Sequence, residues 1–179
     1  MMHPRARIRH AAAALLKGVA PEVGDRVHPG RLSRLDEEDL PAILVYTRSE
    51  DVERDPGDPD GYAPTRRRLA LYIEIVAMAR EDVDDRLDTI AGAVEAAMPG
   101  LMVDGMRLDR VDYEGMETGI EIDGRMPIGA QRLDYAVTYL TPGRAPGDEL
   151  PGDDLSAGDT DDRAPGAGAI HDVLCLGGS

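Results

Sequence analysis

The chain contains no Trp and no Phe, a single Cys (Cys175) and a single Lys (Lys17). One cysteine excludes an intrachain disulfide and any cysteine-based zinc cluster. Without Trp and Phe, the core must be built from Leu, Ile, Val, Ala, Met and the six Tyr. No run approaches the ~20 apolar residues that a membrane span needs, and the start carries no apolar segment of the secretory type. Basic residues are scarce too: 20 Lys and Arg stand against 35 Asp and Glu, a formal net charge of −15 over 179 residues. That balance argues against binding nucleic acid through its phosphates, because such binding rests on cationic side chains that release counterions. The expected product is a soluble, intracellular, acidic protein, whose 42% hydrophobic content supplies one core of ordinary size. Nineteen Arg for one Lys fit a GC-rich genome. The aspartate excess, which that bias explains less well, also suits a high-salt cytoplasm.

Charge is unevenly placed. Residues 1–35 carry a local net charge of +5, residues 36–142 carry −14 and residues 143–179 carry −6. From Gly143 onward 11 of 37 residues are Gly or Pro, and large apolar residues nearly vanish until Ile170. Such a stretch buries too little apolar surface to offset its ordering entropy. The expected organisation is a folded domain over 1–142 and an acidic Gly/Pro/Asp-rich extension over 143–179, which ends in an apolar patch at 170–176.

Within 1–142, Ile8, Ala11, Ala12, Leu15, Leu16 and Val19 recur at helical spacing, and Gly18 and Pro21 close that helix. A second stripe, Val83, Leu87, Ile90, Val94 and Met98, predicts a helix over 83–98 that Pro99 and Gly100 end. Glu81, Asp82, Asp84 and Asp85 crowd its start, where carboxylates complement the helix dipole and cap N–H groups. The continuous apolar run 42–46 predicts a strand covered on both faces. Residues 66–78 alternate, with Leu69, Leu71, Ile73, Ile75 and Ala77 on one side and Arg66, Arg68, Ala70, Tyr72 and Glu74 on the other. A polar hairpin loop over 55–64 joins these two strands. Two further strands are expected near 105–114 and 130–141, with a short extra one near 26–28. The predicted fold is α+β in the order α-β-β-α-β-β, a mixed or antiparallel four- to five-stranded sheet with two helices packed on one face.

Site chemistry is sparse. His3, His10, His28 and His171 are never four apart and never beside the cysteine, so a zinc site would have to recruit them from separate elements. Asp58, Asp60 and Gly61 fit positions three, five and six of a calcium loop. Pro56 and Arg67 would then occupy its first and twelfth positions, so the segment reads as turn chemistry. No phosphate-binding glycine loop, nucleophile elbow or H-E-x-x-H motif occurs. No residue is nominated as catalytic, cofactor-binding or metal-ligating, and the chain reads as non-enzymatic.

Two segments carry a resemblance. Leu40-Pro-Ala-Ile-Leu-Val-Tyr46, a polar hairpin loop and Leu69-Ala-Leu-Tyr-Ile-Glu-Ile75 form the first. The acidic-started helix, Val111-Asp-Tyr113 and Leu133-Asp-Tyr-Ala-Val-Thr-Tyr-Leu-Thr141 form the second. In this order and spacing, over nearly all of 1–142, the chain resembles the tail terminator proteins of long-tailed (siphovirus-type) phages, the minor tail protein U type. It departs from them in a longer region 115–129 and in its extension. The resemblance implies a structural virion protein of the tail neck region, assembled in the host cytoplasm. As a homo-hexameric ring it would cap the head-proximal end of the tail tube, stop polymerisation and offer a surface for head joining. The implied partners are further copies of itself, the tail tube protein and a head-completion or connector protein, with DNA only as passing cargo, no cofactor and no membrane. Alternatives are a head–tail connector of the head-closure kind, the tube protein itself, and a small acidic metal-binding or enzymatic domain.

A closed ring repeats one heterologous interface. Strand edges and long hairpins suit it, since they offer unpaired backbone groups to a neighbour. The expected contacts, between subunits or with the tube, are the hairpin residues Asp58, Asp60 and Tyr62 with Arg66 and Arg68 at the hairpin base, oriented by opposite charge on a neighbour. Arg5, Arg7 and Arg9 of the first helix either face an acidic partner or the DNA passage, or are merely solvated. Ile170, Val173, Leu174 and Leu176 are the expected docking patch, on a neighbouring subunit or another partner. Cys175 is read as a small buried hydrophobe there.

Overall fold

The computed structural model describes residues 2–30, 35–53, 63–79, 82–121 and 128–143. The chain divides into the units Met1–Pro146 and Gly147–Ser179, and every described residue belongs to the first. Asp58, Asp60, Tyr62 and the patch residues Ile170, Val173, Leu174 and Leu176 lie outside the described residues.

Helix α1 spans Pro4–Leu16. Proline at its first position has no N–H to leave unpaired, and the His3 side chain accepts a hydrogen bond from the Arg5 amide at 3.3 Å. Its buried stripe is Ile8, Ala12, Ala13 and Leu16. The chain leaves the helix through an extended Lys17 and Gly18 at φ +75°, a left-handed conformation that glycine adopts without Cβ strain. Helix α2, Val83–Ala97, buries Val83, Leu87, Ile90, Ala91 and Val94. One expectation at its start fails. Asp82 sits in the left-handed region (φ 58°) and its side chain makes no cap hydrogen bond, so the first-turn acids Asp84 and Asp85 act through the helix dipole.

The strands are β1 (Val27–Pro29), β2 (Ala42–Glu53), β3 (Thr65–Met78), β4 (Leu108–Glu121) and β5 (Ile128–Thr141). They form one mixed sheet in the order β1-β2-β3-β5-β4, with β1 parallel to β2 and the other pairs antiparallel. This is the α+β fold expected, with the short strand present. The strands run longer than predicted in two places, and a bulge accounts for each. In β2 the register shifts between Thr47 and Glu50, so Thr47 and then Glu50 both fall on the face of Leu71 and Leu69. In β4 a shift between Tyr113 and Gly115 puts Val111 and Tyr113, then Met116, Thr118 and Ile120, on one face. A bulge reverses the parity of alternation, which is why 115–121 does not read as a continuation of 105–114.

Both helices pack on the same face. One core joins α1 and α2 to Ile43, Val45, Leu69, Leu71, Ile73, Ile75, Leu133, Tyr135, Val137 and Tyr139. Each fully buried Ile or Leu there contributes about 1.5–3 kcal/mol relative to exposure. The run 42–46 is buried throughout, as expected for a strand covered on both sides. Close approach of α2 to the sheet depends on Gly129 of β5. A Cβ at that position would stand 2.7 Å from Leu87 Cδ1 and 3.0 Å from Val83 Cγ2. Among the described residues no helix is long and apolar enough to cross a membrane.

Candidate assembly surface

The face of the sheet opposite the helices is lined by alternate residues of four strands. Register places Tyr72 opposite Asp134, Glu74 opposite Arg132, and Glu117 opposite Arg132 from the other side. Arg132 organises the middle of this outer face. Its Nε donates to Asp134 Oδ1 at 2.8 Å, its Nη2 lies 2.7 Å from Glu117 Oε2, and its guanidinium carbon stands 5.3 Å from the Tyr72 ring centroid. The Asp134 hydrogen bond holds the guanidinium above even its usual pKa, against an opposing effect of burial. Tyr72 in turn stacks on Tyr46, with centroids 5.5 Å apart and an interplanar angle of 20°. A shallow depression of about 260 Å³ lies between Tyr46, Glu74, Glu117 and Arg132.

Toward the β2–β3 hairpin the same face opens into a groove of about 570 Å³, lined by Glu53, Arg66, Arg68, Asp109, Arg110, Asp112 and Thr138. Alternation along β3 sends Arg66 and Arg68 here, as expected. Both cations are paired while remaining about half exposed. Arg68 pairs with Glu114, Arg66 Nε lies 3.7 Å from Asp109 Oδ2, and Arg110 Nη2 lies 2.8 Å from Asp112 Oδ1. Ion pairs this exposed are each worth about 0–1 kcal/mol. They set a pattern of charge that a partner would meet and add little to the fold.

Arg67 takes the other direction. Its Nη1 lies 3.1 Å from Glu50 Oε2, its Nε donates to Thr141 Oγ1 at 3.2 Å, and the Tyr139 hydroxyl donates to the other Glu50 oxygen. This cluster closes the hairpin end of the core. Burial first, then the hydrogen bond and charge of Glu50, push the Tyr139 hydroxyl well above its ordinary pKa. Sequence alternation misses the cluster, because without the β2 bulge Glu50 would face outward. Alternation gives Tyr72 and Glu74 a shared side of β3, but their convergence with Arg132 and Asp134 depends on the β3–β5–β4 order.

The first helix makes contacts that its sequence pattern does not show. Arg5 Nη2 donates to the Arg48 carbonyl at 3.2 Å and Arg7 donates to the Asp104 carbonyl, so both guanidinium groups bind this domain's own backbone. Arg5, Arg7 and Arg9 are each partly buried, and the bonds to backbone carbonyls set Arg5 and Arg7 apart from freely solvated side chains.

Three large apolar side chains are exposed along β4: Tyr113 at 45%, Met116 at 49% and Ile120 at 45%. They share the helix side of the sheet, where β4 is the outermost strand. A recess of about 150 Å³ adjoins Tyr113, walled by Glu95, Met98, Pro99, Val111 and Tyr135. The Tyr135 hydroxyl is buried without a hydrogen-bond partner among the described residues. Burial, then the charge of Glu95, raises its pKa far above the ordinary value, and the same two causes raise that of Tyr113. Among the described residues, no three His, Cys, Asp or Glu side chains gather as a metal site.

No protein-family model matches the chain, and no curated protein matches it. Among solved structures it is similar to a chain from the virion of a native gene transfer agent (GTA) particle. The two share 19% sequence identity at a TM-score of 0.49, over 74% of this chain and 94% of the other.

Proposed function

We propose that the protein is a structural virion component that caps the head-proximal end of a phage-type tail tube as a closed ring, ends polymerisation of the tube and offers the surface to which the head joins. One observation carries the reading. The two segments that resemble tail terminators, each ending in a long strand, join in a single sheet with both helices on one side. Among the described residues no helix covers the opposite side, and its grooves are wide, shallow and lined by paired charges.

Such a surface suits a broad partner better than a small molecule, because ligand pockets enclose most of what they bind. Mixed charge on an open face selects orientation and partner more than it supplies affinity. The ring itself follows from one heterologous contact repeated until it closes.

Electron microscopy of particles carrying a labelled copy of the protein tests the assignment. The label is expected at the head–tail junction, and it should stay with the tail when heads and tails are separated. A label that stays with the head makes the protein a head-closure connector. A label absent from particles removes the virion assignment altogether.

A further inference from the structure

The geometry points to β4 as the docking strand for residues 170–176 of a neighbouring copy, a contact that rests on the ring reading above and names its interface. Three observations converge on this strand. First, β4 is 14 residues long and outermost in the sheet, so along one side its amides and carbonyls face away from β5. Long outer strands template the addition of another strand unless they are blunted, and beyond its bulge at Tyr113–Gly115 β4 keeps regular register from Gly115 to Glu121. The opposite border shows the contrast: β1 is three residues long and ends in Pro29.

Second, β4 carries uncovered apolar surface where an added strand would lie. Tyr113, Met116 and Ile120 stand in line on its helix side, each about half exposed. The recess beside Tyr113 has room for one inserted aliphatic side chain, and the buried Tyr135 hydroxyl at its wall has no partner among the described residues. A buried hydroxyl in that condition favours an occupant that brings a polar main chain along with its apolar side chains.

Third, the chain contains one apolar segment outside the domain, Ile170-His-Asp-Val-Leu-Cys-Leu176, joined to it by the 27 residues 143–169. As a random coil, 27 residues have an r.m.s. reach of about 30 Å, enough to span to an adjacent protomer. Strand addition supplies main-chain hydrogen bonds for affinity and alternate side chains for specificity. With Leu174 and Leu176 beside the Met116–Ile120 stripe, alternation sends Val173 and Cys175 to the outer face beside Gly119, so in this register Cys175 is open and not the buried hydrophobe its neighbours suggest. A heterologous exchange of this kind, each copy giving its segment to the next, closes naturally into a ring.

The single cysteine makes the contact measurable in the full-length chain. Gly119→Cys adds a thiol on the outer side of β4, where a Cβ meets nothing within 4 Å. Val52→Cys adds a control thiol at another exposed site, on β2. Each variant is treated with a short bis-maleimide and resolved on a denaturing gel, with circular dichroism confirming the fold. The inference predicts a ladder of covalent oligomers from Gly119→Cys, about tenfold more than from Val52→Cys, given the millimolar effective concentration of a docked segment. Adding Leu174→Asp and Leu176→Asp to the Gly119→Cys chain should abolish the ladder. Equal ladders from both sites, no ladder, or a link only within one chain would each overturn it. Sedimentation of the untreated wild-type chain keeps the two ideas apart. A six-copy ring without the Gly119→Cys ladder removes the docking strand and leaves the ring standing.

Discussion

The two faces of the sheet are written by the same strands and obey different physics. On the inner face Leu69, Leu71, Ile73, Ile75, Leu133 and Val137 are completely buried beneath the helices. On the outer face the alternating partners are Arg66, Arg68, Tyr72, Glu74, Arg132 and Asp134, held by ion pairs and a tyrosine stack. The inner face therefore carries stability, and the outer face presents a pattern of charge at little cost to the fold. Substitutions separate the two.

The largest effect is expected inside. Ile73→Ala removes a fully buried side chain at the centre of β3 and should lower the unfolding free energy by about 2–5 kcal/mol, read from urea denaturation. Gly129→Leu comes next. Its Cβ alone would collide with Leu87 and Val83, so α2 must shift, at a cost of about 1–3 kcal/mol by the same measurement. Loss of helix packing should also appear in near-ultraviolet circular dichroism, where the tyrosines report.

The tyrosines add a pH signature to the inner face. Tyr135 and Tyr139 have folded-state pKa values raised above the ordinary value of 10.0. A raised pKa contributes stability that is fully present below about pH 10, where the unfolded tyrosines are still neutral, and is lost as pH rises beyond it. The urea midpoint should therefore fall above pH 10. Tyr135→Phe should flatten part of that fall without exposing a new polar group, since its hydroxyl has no partner among the described residues. An unchanged alkaline slope in Tyr135→Phe would show that its hydroxyl is not shielded from solvent.

The smallest stability effect is expected outside. Arg132→Ala breaks contacts to Asp134, Glu117 and the Tyr72 ring, yet the partners are solvated and the loss should stay near 1 kcal/mol or below. Reversal of Arg66 and Arg68 to Glu should likewise leave unfolding nearly unchanged while weakening self-association in sedimentation. If those outer-face changes unfold the domain, the division of labour between the faces is wrong.

Much of this division was legible in the sequence. Clean alternation over 66–78 assigned each residue of β3 to a face, and the apolar run at 42–46 marked a strand buried on both sides. Helical stripes located α1 and α2 to within a few residues. What stayed hidden has two physical causes. Bulges in β2 and β4 reverse parity without a compositional mark, so the inward turn of Glu50 and the strand 115–121 were not visible. Non-local pairing is the other. That Arg132 meets Glu117, and that Arg5 and Arg7 reach the Arg48 and Asp104 carbonyls, depends on strand order and helix placement, which a linear pattern does not encode.

Growth of purified tail tubes in the presence of the full-length protein is the most direct test of the account. Tube length, measured by electron microscopy, should stop increasing once the protein is added, with a ring of density at one end of each tube. Tubes that lengthen at the same rate with and without the protein, and carry no density at their ends, would contradict it.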